Sequence, residues 1–176
     1  MLRNLSEIEG YVLQARDGEI GRCKDFLFDE EHWTVRYMVA DTGKWLPGKK
    51  VLISPVSLDR PDWTTRKLPV NLTKELIEKS PPLSSEEPVS RKYEKKWYDY
   101  YGWALYWGGG GVWGPGAHPL DLKNLERPMN PAEAEAASED SELRSASEVK
   151  GYHIKAKDDE VGHVEDFIVD DETWTL

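Results

Sequence analysis

The chain has 176 residues, 39% of them hydrophobic, with a formal net charge of −10 and a single cysteine, enough for one mid-sized domain or two small ones. A lone Cys23 excludes an internal disulfide framework and an all-cysteine zinc site, and the acidic balance disfavours broad binding to phosphate backbones. No run approaches the roughly 20 apolar residues that span a bilayer, and the Met-Leu-Arg-Asn-Leu-Ser-Glu start lacks the apolar stretch of a signal peptide, so a cytoplasmic location is expected.

Two apolar runs, residues 11–15 and 20–28, flank Arg16-Asp17-Gly18-Glu19. Asp-Gly between such runs predicts an antiparallel hairpin. In residues 34–40, Val35, Tyr37 and Val39 alternate with Thr34, Arg36 and Met38, the period of a strand with one buried face. Residues 51–54 and 64–68 supply two more short strands, with a turn at 55–58 between them. Asn71 or Thr73 is placed to cap a helix over 74–79, which Pro81-Pro82 stops. So small a domain has difficulty protecting its sheet edges, and five or six short strands with one helix predict a mainly β, antiparallel, closed barrel over residues 1–80.

Residues 81–146 have two characters. Between Tyr93 and Trp113 lie nine of the nineteen aromatics of the chain. Tyr93, Trp97, Tyr100 and Tyr101 share one helical face while Lys92, Lys95, Lys96 and Asp99 take the other, which predicts an amphipathic helix from about Ser90 to Gly102. Beyond it, Trp107 and Trp113 bracket the run of four glycines at 108–111. Two readings stand side by side. The segment packs onto a barrel face of its own molecule or a twin, or it is an arm whose Tyr93, Trp97, Tyr100, Tyr101, Trp103, Trp107 and Trp113 bind a partner. A protein partner suits those residue types best, a membrane surface next, and nucleic acid least. Residues 128–147 are small, acidic and without apolar period, as a flexible linker is.

Residues 147–176 repeat residues 6–35 without a gap, with 14 identities in 30. Gly10-Tyr11 returns as Gly151-Tyr152, Gly21 as Gly162, Asp25-Phe26 as Asp166-Phe167 and Trp33-Thr34 as Trp174-Thr175. Such a repeat predicts a duplicated structural unit. The first copy continues from Arg36 through Pro55, and the 176 residues hold no second copy of that stretch. The sequence leaves three explanations open: it is a fragment, the half-unit completes itself on another chain, or it completes itself on the first unit.

The order of these motifs resembles the PRC-barrel family: a Gly-Tyr strand, an Asp-Gly turn, Ile20-Gly21 leading to Asp25-Phe26-Leu27-Phe28-Asp29, then Arg36-Tyr37-Met38-Val39-Ala40-Asp41, Val51-Leu52-Ile53-Ser54-Pro55 and Val70-Asn71-Leu72-Thr73-Lys74-Glu75. That family is similar to the cytoplasmic domain of the photosynthetic reaction-centre H subunit and to the C-terminal domain of ribosome maturation factors. The resemblance covers residues 1–80 and again 147–176. It implies a non-catalytic adaptor or regulatory protein that binds a protein partner or self-associates. The alternative that it implies is a peripheral accessory protein of a photosynthetic or other electron-transfer membrane complex. Its motifs are structural, so the resemblance carries no catalytic residue with it.

The residues agree in assigning no catalytic, metal or cofactor site. Cys23 aligns with Val164, which marks a small apolar interior position. His32, His118, His153 and His163 show no ligand spacing. The recurring Asp17, Glu19, Asp25, Asp29 and Glu31 read as turn and strand-end carboxylates that bond nearby amides. The glycine run does not lead into Lys-Ser or Lys-Thr, and no serine lies in a Gly-x-Ser-x-Gly elbow.

Overall fold

A computed structural model of the protein describes residues 1–125 and 143–176. The first unit runs β1 (Leu2–Asn4), α1 (Leu5–Ile8), β2 (Val12–Ala15), β3 (Gly18–Asp29), β4 (Thr34–Asp41), β5 (Val51–Ile53), a 3-10 turn (Pro55–Ser57), β6 (Lys67–Val70) and α2 (Lys74–Glu78). The Asp-Gly turn closes the β2–β3 hairpin with Ala15 opposite Gly18. Asp17 does a second task there, its carboxylate accepting the Lys74 amide at 2.8 Å at the start of α2. Of the two expected caps for that helix, Thr73 is the one used, its hydroxyl accepting from the Leu76 amide.

The molecule is mainly β with a few short helices, but its central sheet does not close into a barrel. The strands order as β5-β4-β3-β2-β6. All pairs are antiparallel except β2 with β6, which run parallel from Val12 opposite Lys67 to Ala15 opposite Val70. Among the described residues, β6 meets the segment after β5 at the Leu58–Val70 bridge, where the Asp59 amide donates to the Pro69 carbonyl at 2.9 Å and the Asn71 amide to that of Ser57 at 2.7 Å. Pro55 and Pro69 lie at this seam and lack the N–H groups that a continuous ladder needs. The last strand also starts later than its composition predicts. Asp62 accepts the Thr64 and Thr65 amides at 3.1 Å, and Arg66 turns the chain at φ 56° before β6 begins.

In β3 the buried residues Ile20, Cys23 and Phe26 recur every third position rather than every second. A bulge at Ile20 in the β2–β3 ladder, where Gly21 faces Leu13 and Glu19 faces Gln14, and one between Cys23 and Asp25 in the β3–β4 ladder account for this, because a bulge inserts one residue and re-aims the next side chain. In β4 the expected single buried face is in fact two, with Thr34 to Met38 all buried. The aromatic segment covers the second face.

The second unit repeats the first in order: β7 (Leu143–Ser145), α5 (Ala146–Val149), β8 (His153–Lys155), β9 (Glu160–His163) and β10 (Ile168–Asp170). The duplication therefore begins upstream of residue 6, with Leu2-Arg3 returning as Leu143-Arg144. Residues 143–147 belong to this unit rather than to the expected linker, whose remainder at 128–142 lies outside the described residues. Between the units stand α3 (Arg91–Tyr101) and α4 (Asp121–Asn124).

Candidate interaction surface

The aromatic segment forms its helix where the sequence places it. The Ser90 hydroxyl accepts the Tyr93 amide at the N-terminus, and Gly102 ends α3 in the left-handed conformation at φ 70°. Its side chains, however, face the interior. Trp97, Trp103 and Trp113 are buried, Tyr93, Tyr101 and Trp107 are half-buried, and Tyr100 lies at the exposed rim. Trp97 meets Tyr37 edge-on at 5.3 Å, and Trp103 stacks on Tyr101 at 4.7 Å. Tyr93 donates its hydroxyl to the Pro81 carbonyl at 2.8 Å, and Tyr100 donates to that of Leu76 at 2.9 Å. The expectation of a projecting arm is thus corrected: these rings cover β4 of their own chain, because so large an apolar face gains more from burial than from solvent.

The cover carries a polar interior that no sequence pattern announced. Arg36 is fully buried, its Nε donating to the Asp29 carboxylate at 2.6 Å. Its guanidinium lies 4.1 Å from the Tyr106 ring centre and 4.6 Å from that of Trp113. Glu94, also fully buried, accepts the Tyr106 hydroxyl at 2.7 Å and Arg91 Nη1 at 3.1 Å. Burial raises the phenols of Tyr37 and Tyr106 well above their ordinary range and pushes that of Tyr93 up to about 12. Cys23 is likewise buried, and burial holds its thiol protonated, as suits an apolar position rather than a nucleophile.

The two units meet about a local twofold relation. β1 pairs with β10, Leu2 opposite Asp170, while β7 pairs with β3, Leu143 opposite Asp29. Each unit thus lends its first strand to the other, β7 to the end of the long β3 and β1 to the short β10 that aligns with that end. Ser147 donates its amide to Asp25 at 3.0 Å and its hydroxyl to the same carboxylate at 3.0 Å; the equivalent Ser6 donates its amide to Asp166 at 3.3 Å and its hydroxyl to Asp166 as well. At the centre Thr34 bridges its own counterpart Thr175. Val35 donates to the Trp174 carbonyl at 2.8 Å and Leu176 to that of Trp33 at 2.7 Å. Lys150 reaches Glu9, its own repeat position, at 2.7 Å and Asp166 at 3.3 Å. Trp113 adds a tie from the aromatic segment, its indole N–H donating to the Thr173 carbonyl at 2.7 Å. On this side the second unit is docked on the first.

The far side of the second unit is different. Tyr11, Leu13 and Ile20 of the first unit are 7%, 0% and 2% exposed, whereas their counterparts Tyr152, Ile154 and Val161 are 54%, 46% and 70% exposed. Sequence reading identified the repeat but not this surface. The signal was available as apolar residues retained at positions 152, 154 and 161, which match the core positions Tyr11, Leu13 and Ile20 of the first unit. A separate cleft of about 720 Å³ opens between the units, lined among others by Arg3, Trp63, His118, Asp171 and Trp174. Its N-terminal amine and Arg3 are already paired to Asp171, and Arg3 lies 3.7 Å over the Trp63 ring. Among the described residues no group of three or more His, Cys, Asp or Glu is arranged to hold a metal, and no helix is long and apolar enough to cross a membrane. No family model matches the chain, nor does any curated protein.

Proposed function

We propose that the chain is a non-catalytic adaptor of the PRC-barrel type, which engages a polypeptide through the exposed face of its second unit. The observation that carries this reading is the exposure of Tyr152, Ile154 and Val161 at positions that are core in the first unit. Three such residues on one small hairpin form an apolar patch of the kind that marks interaction sites. Two further features support a binding rather than a catalytic role. The interior of the first unit is occupied by Leu13, Phe26, Met38, Ile53 and Leu68, and the aromatic segment is committed to holding the units together.

A photo-crosslinking side chain introduced at Val161 tests the reading. The expected result is a polypeptide adduct, a second copy of the chain included, that forms from position 161, is absent from a control at the exposed Glu86, and is lost when Ile154→Asp is added. Equal labelling at the two positions, or labelling that Ile154→Asp leaves untouched, would refute it.

A further inference from the structure

We infer that a cavity at the edge of the aromatic cover binds a small organic carboxylate. The cavity has a volume of about 170 Å³, more than a single ordered water needs, and lies between the turn after β3, Arg91 at the start of α3 and the stretch from Tyr106 to Gly110. All of its lining belongs to the first unit and the aromatic segment, so it is separate from the exposed face of the second unit.

The ligand is called for by a surplus of donors. Arg36, Arg91 and Trp107 gather around the Tyr106 ring at 4.1, 5.3 and 4.8 Å from its centre. Four of their buried nitrogen atoms have no hydrogen-bond partner among the described residues: Nη1 and Nη2 of Arg36, Nε of Arg91 and Nε1 of Trp107. Guanidinium and indole nitrogens donate and cannot accept, so they cannot satisfy one another, and a buried donor left unpaired carries the cost of its desolvation. Two of the four belong to residues that line the cavity, Arg91 and Trp107. The neighbouring carboxylates are already engaged. Asp29 accepts from Arg36 Nε and from the His32 amide, and Glu94 accepts from Tyr106 and from Arg91 Nη1. The amides of Gly109 and Gly110 also donate to no group among the described residues. Whatever completes this set must bring acceptors.

The fixed position of Arg91 selects a carboxylate. Its Nη1 donates to the Tyr106 hydroxyl at 2.7 Å as well as to Glu94, and its guanidinium lies 4.4 Å from the Trp107 ring centre. What remains is the edge formed by Nε and Nη2, the parallel pair of donors that a carboxylate accepts side-on. Held from two sides, this edge loses little freedom when a ligand arrives. Glu31, exposed at the rim, repels a phosphate dianion more than a monocarboxylate, and the Tyr106 and Trp107 rings give the carbon end of an organic acid an apolar wall. The glycines fit this use. A Cβ on Gly109 or Gly111 would stand 2.7 or 2.8 Å from the Gly114 backbone, whereas one on Gly110, which lines the cavity, would meet nothing within 4 Å. No neighbour in the chain requires glycine at 110, and its bare backbone leaves room for a ligand.

The test titrates the full chain with acetate and, at matched ionic strength, with chloride and inorganic phosphate, following by NMR the indole N–H resonance that Trp107→Phe removes. Expected are a saturable shift with acetate, binding of phosphate about tenfold weaker, no saturable shift with chloride, and a thermal midpoint that rises as acetate saturates the site. Trp107→Phe keeps a ring against Arg91 and deletes a donor without a partner, so in carboxylate-free buffer its midpoint should equal or exceed that of the parent, while the rise produced by acetate shrinks. Gly110→Asp places a like charge where a side chain meets no neighbour, and should weaken acetate about tenfold at an unchanged midpoint. The assignment is overturned if acetate shifts the resonance no more than chloride does, if phosphate binds as tightly as acetate, or if Gly110→Asp binds acetate as the parent does. A lower midpoint for Trp107→Phe in carboxylate-free buffer would overturn it too, because the indole donor would then already be satisfied by ordered water.

Discussion

The buried charged side chains among the described residues are Asp29, Arg36 and Glu94; Arg36 pairs with Asp29, and Glu94 accepts from Tyr106 and Arg91. Removing one member of such a pair strands the other. Asp29→Ala should therefore destabilise the fold by about 3–5 kcal/mol, whereas replacing both members together, Asp29→Asn with Arg36→Met, which removes the charges and keeps the volume against Tyr106 and Trp113, should cost far less. Urea midpoints of the two variants decide the matter, and equal losses would count against a stranded charge. Trp97 makes a simpler case, since it is fully buried between Tyr37, Tyr101 and Trp103. Trp97→Ala should cost about 3–5 kcal/mol through lost transfer and the cavity left behind. The same denaturation experiment would show little change if the ring were part of a projecting arm. At this scale the sequence was legible where the cause is local. Ser90 and Gly102 set the limits of α3 through their own hydrogen bonding and backbone freedom. Which way the aromatic face points was not legible, because an apolar stripe states that it needs cover and does not say whose.

Among the elements, β1 and β7 were the hardest to foresee. Leu-Arg-Asn and Leu-Arg-Ser are too short for any periodicity, and each becomes a strand only because the other unit offers an edge. By contrast the β2–β3 hairpin was legible in Asp17-Gly18, and β4 in its alternation. Closure of the barrel was expected from strand number and from the need to protect sheet edges, and the prolines at the seam show why these are insufficient. The exchanged elements also confer a pH dependence on docking of the second unit. Burial tends to raise the Asp166 carboxyl, but the Ser6 hydroxyl, the Phe167 amide and Lys150 outweigh it, so the group titrates below its ordinary value of 3.8. A carboxylate held down in the folded state stabilises that state above its unfolded pKa and stops doing so as pH falls through the folded one. Exchange of the amides in residues 166–176 should therefore accelerate below pH 3.8 in the parent, and Asp166→Asn should show the faster exchange already at neutral pH.

At the level of the whole molecule, the aromatic segment is the third surface that the two units share. Trp113 lies over Arg36 of the first unit and donates to the Thr173 carbonyl of the second. Trp113→Phe keeps an aromatic ring and deletes that one bond, so it should weaken docking by about 0.5–1.5 kcal/mol. Hydrogen exchange of residues 168–176 would report the change, while residues 12–41 should stay as protected as before. A loss of protection spread evenly over both ranges would mean that the ring supports the first unit instead.

A residue on a twofold axis ordinarily meets itself, so in an assembly of two identical chains one substitution alters both sides of the contact. Here the two halves are covalently one chain and have been free to diverge at the meeting point: position 9 is glutamate, and its repeat counterpart, position 150, is lysine. Two first units brought together in the same way would set glutamate against glutamate, and two second units lysine against lysine. The attraction exists only for the mixed pair. Duplication within one polypeptide has thus turned a contact indifferent to identity into one that tells first unit from second, and it biases each half towards its own sister over the same half of another molecule.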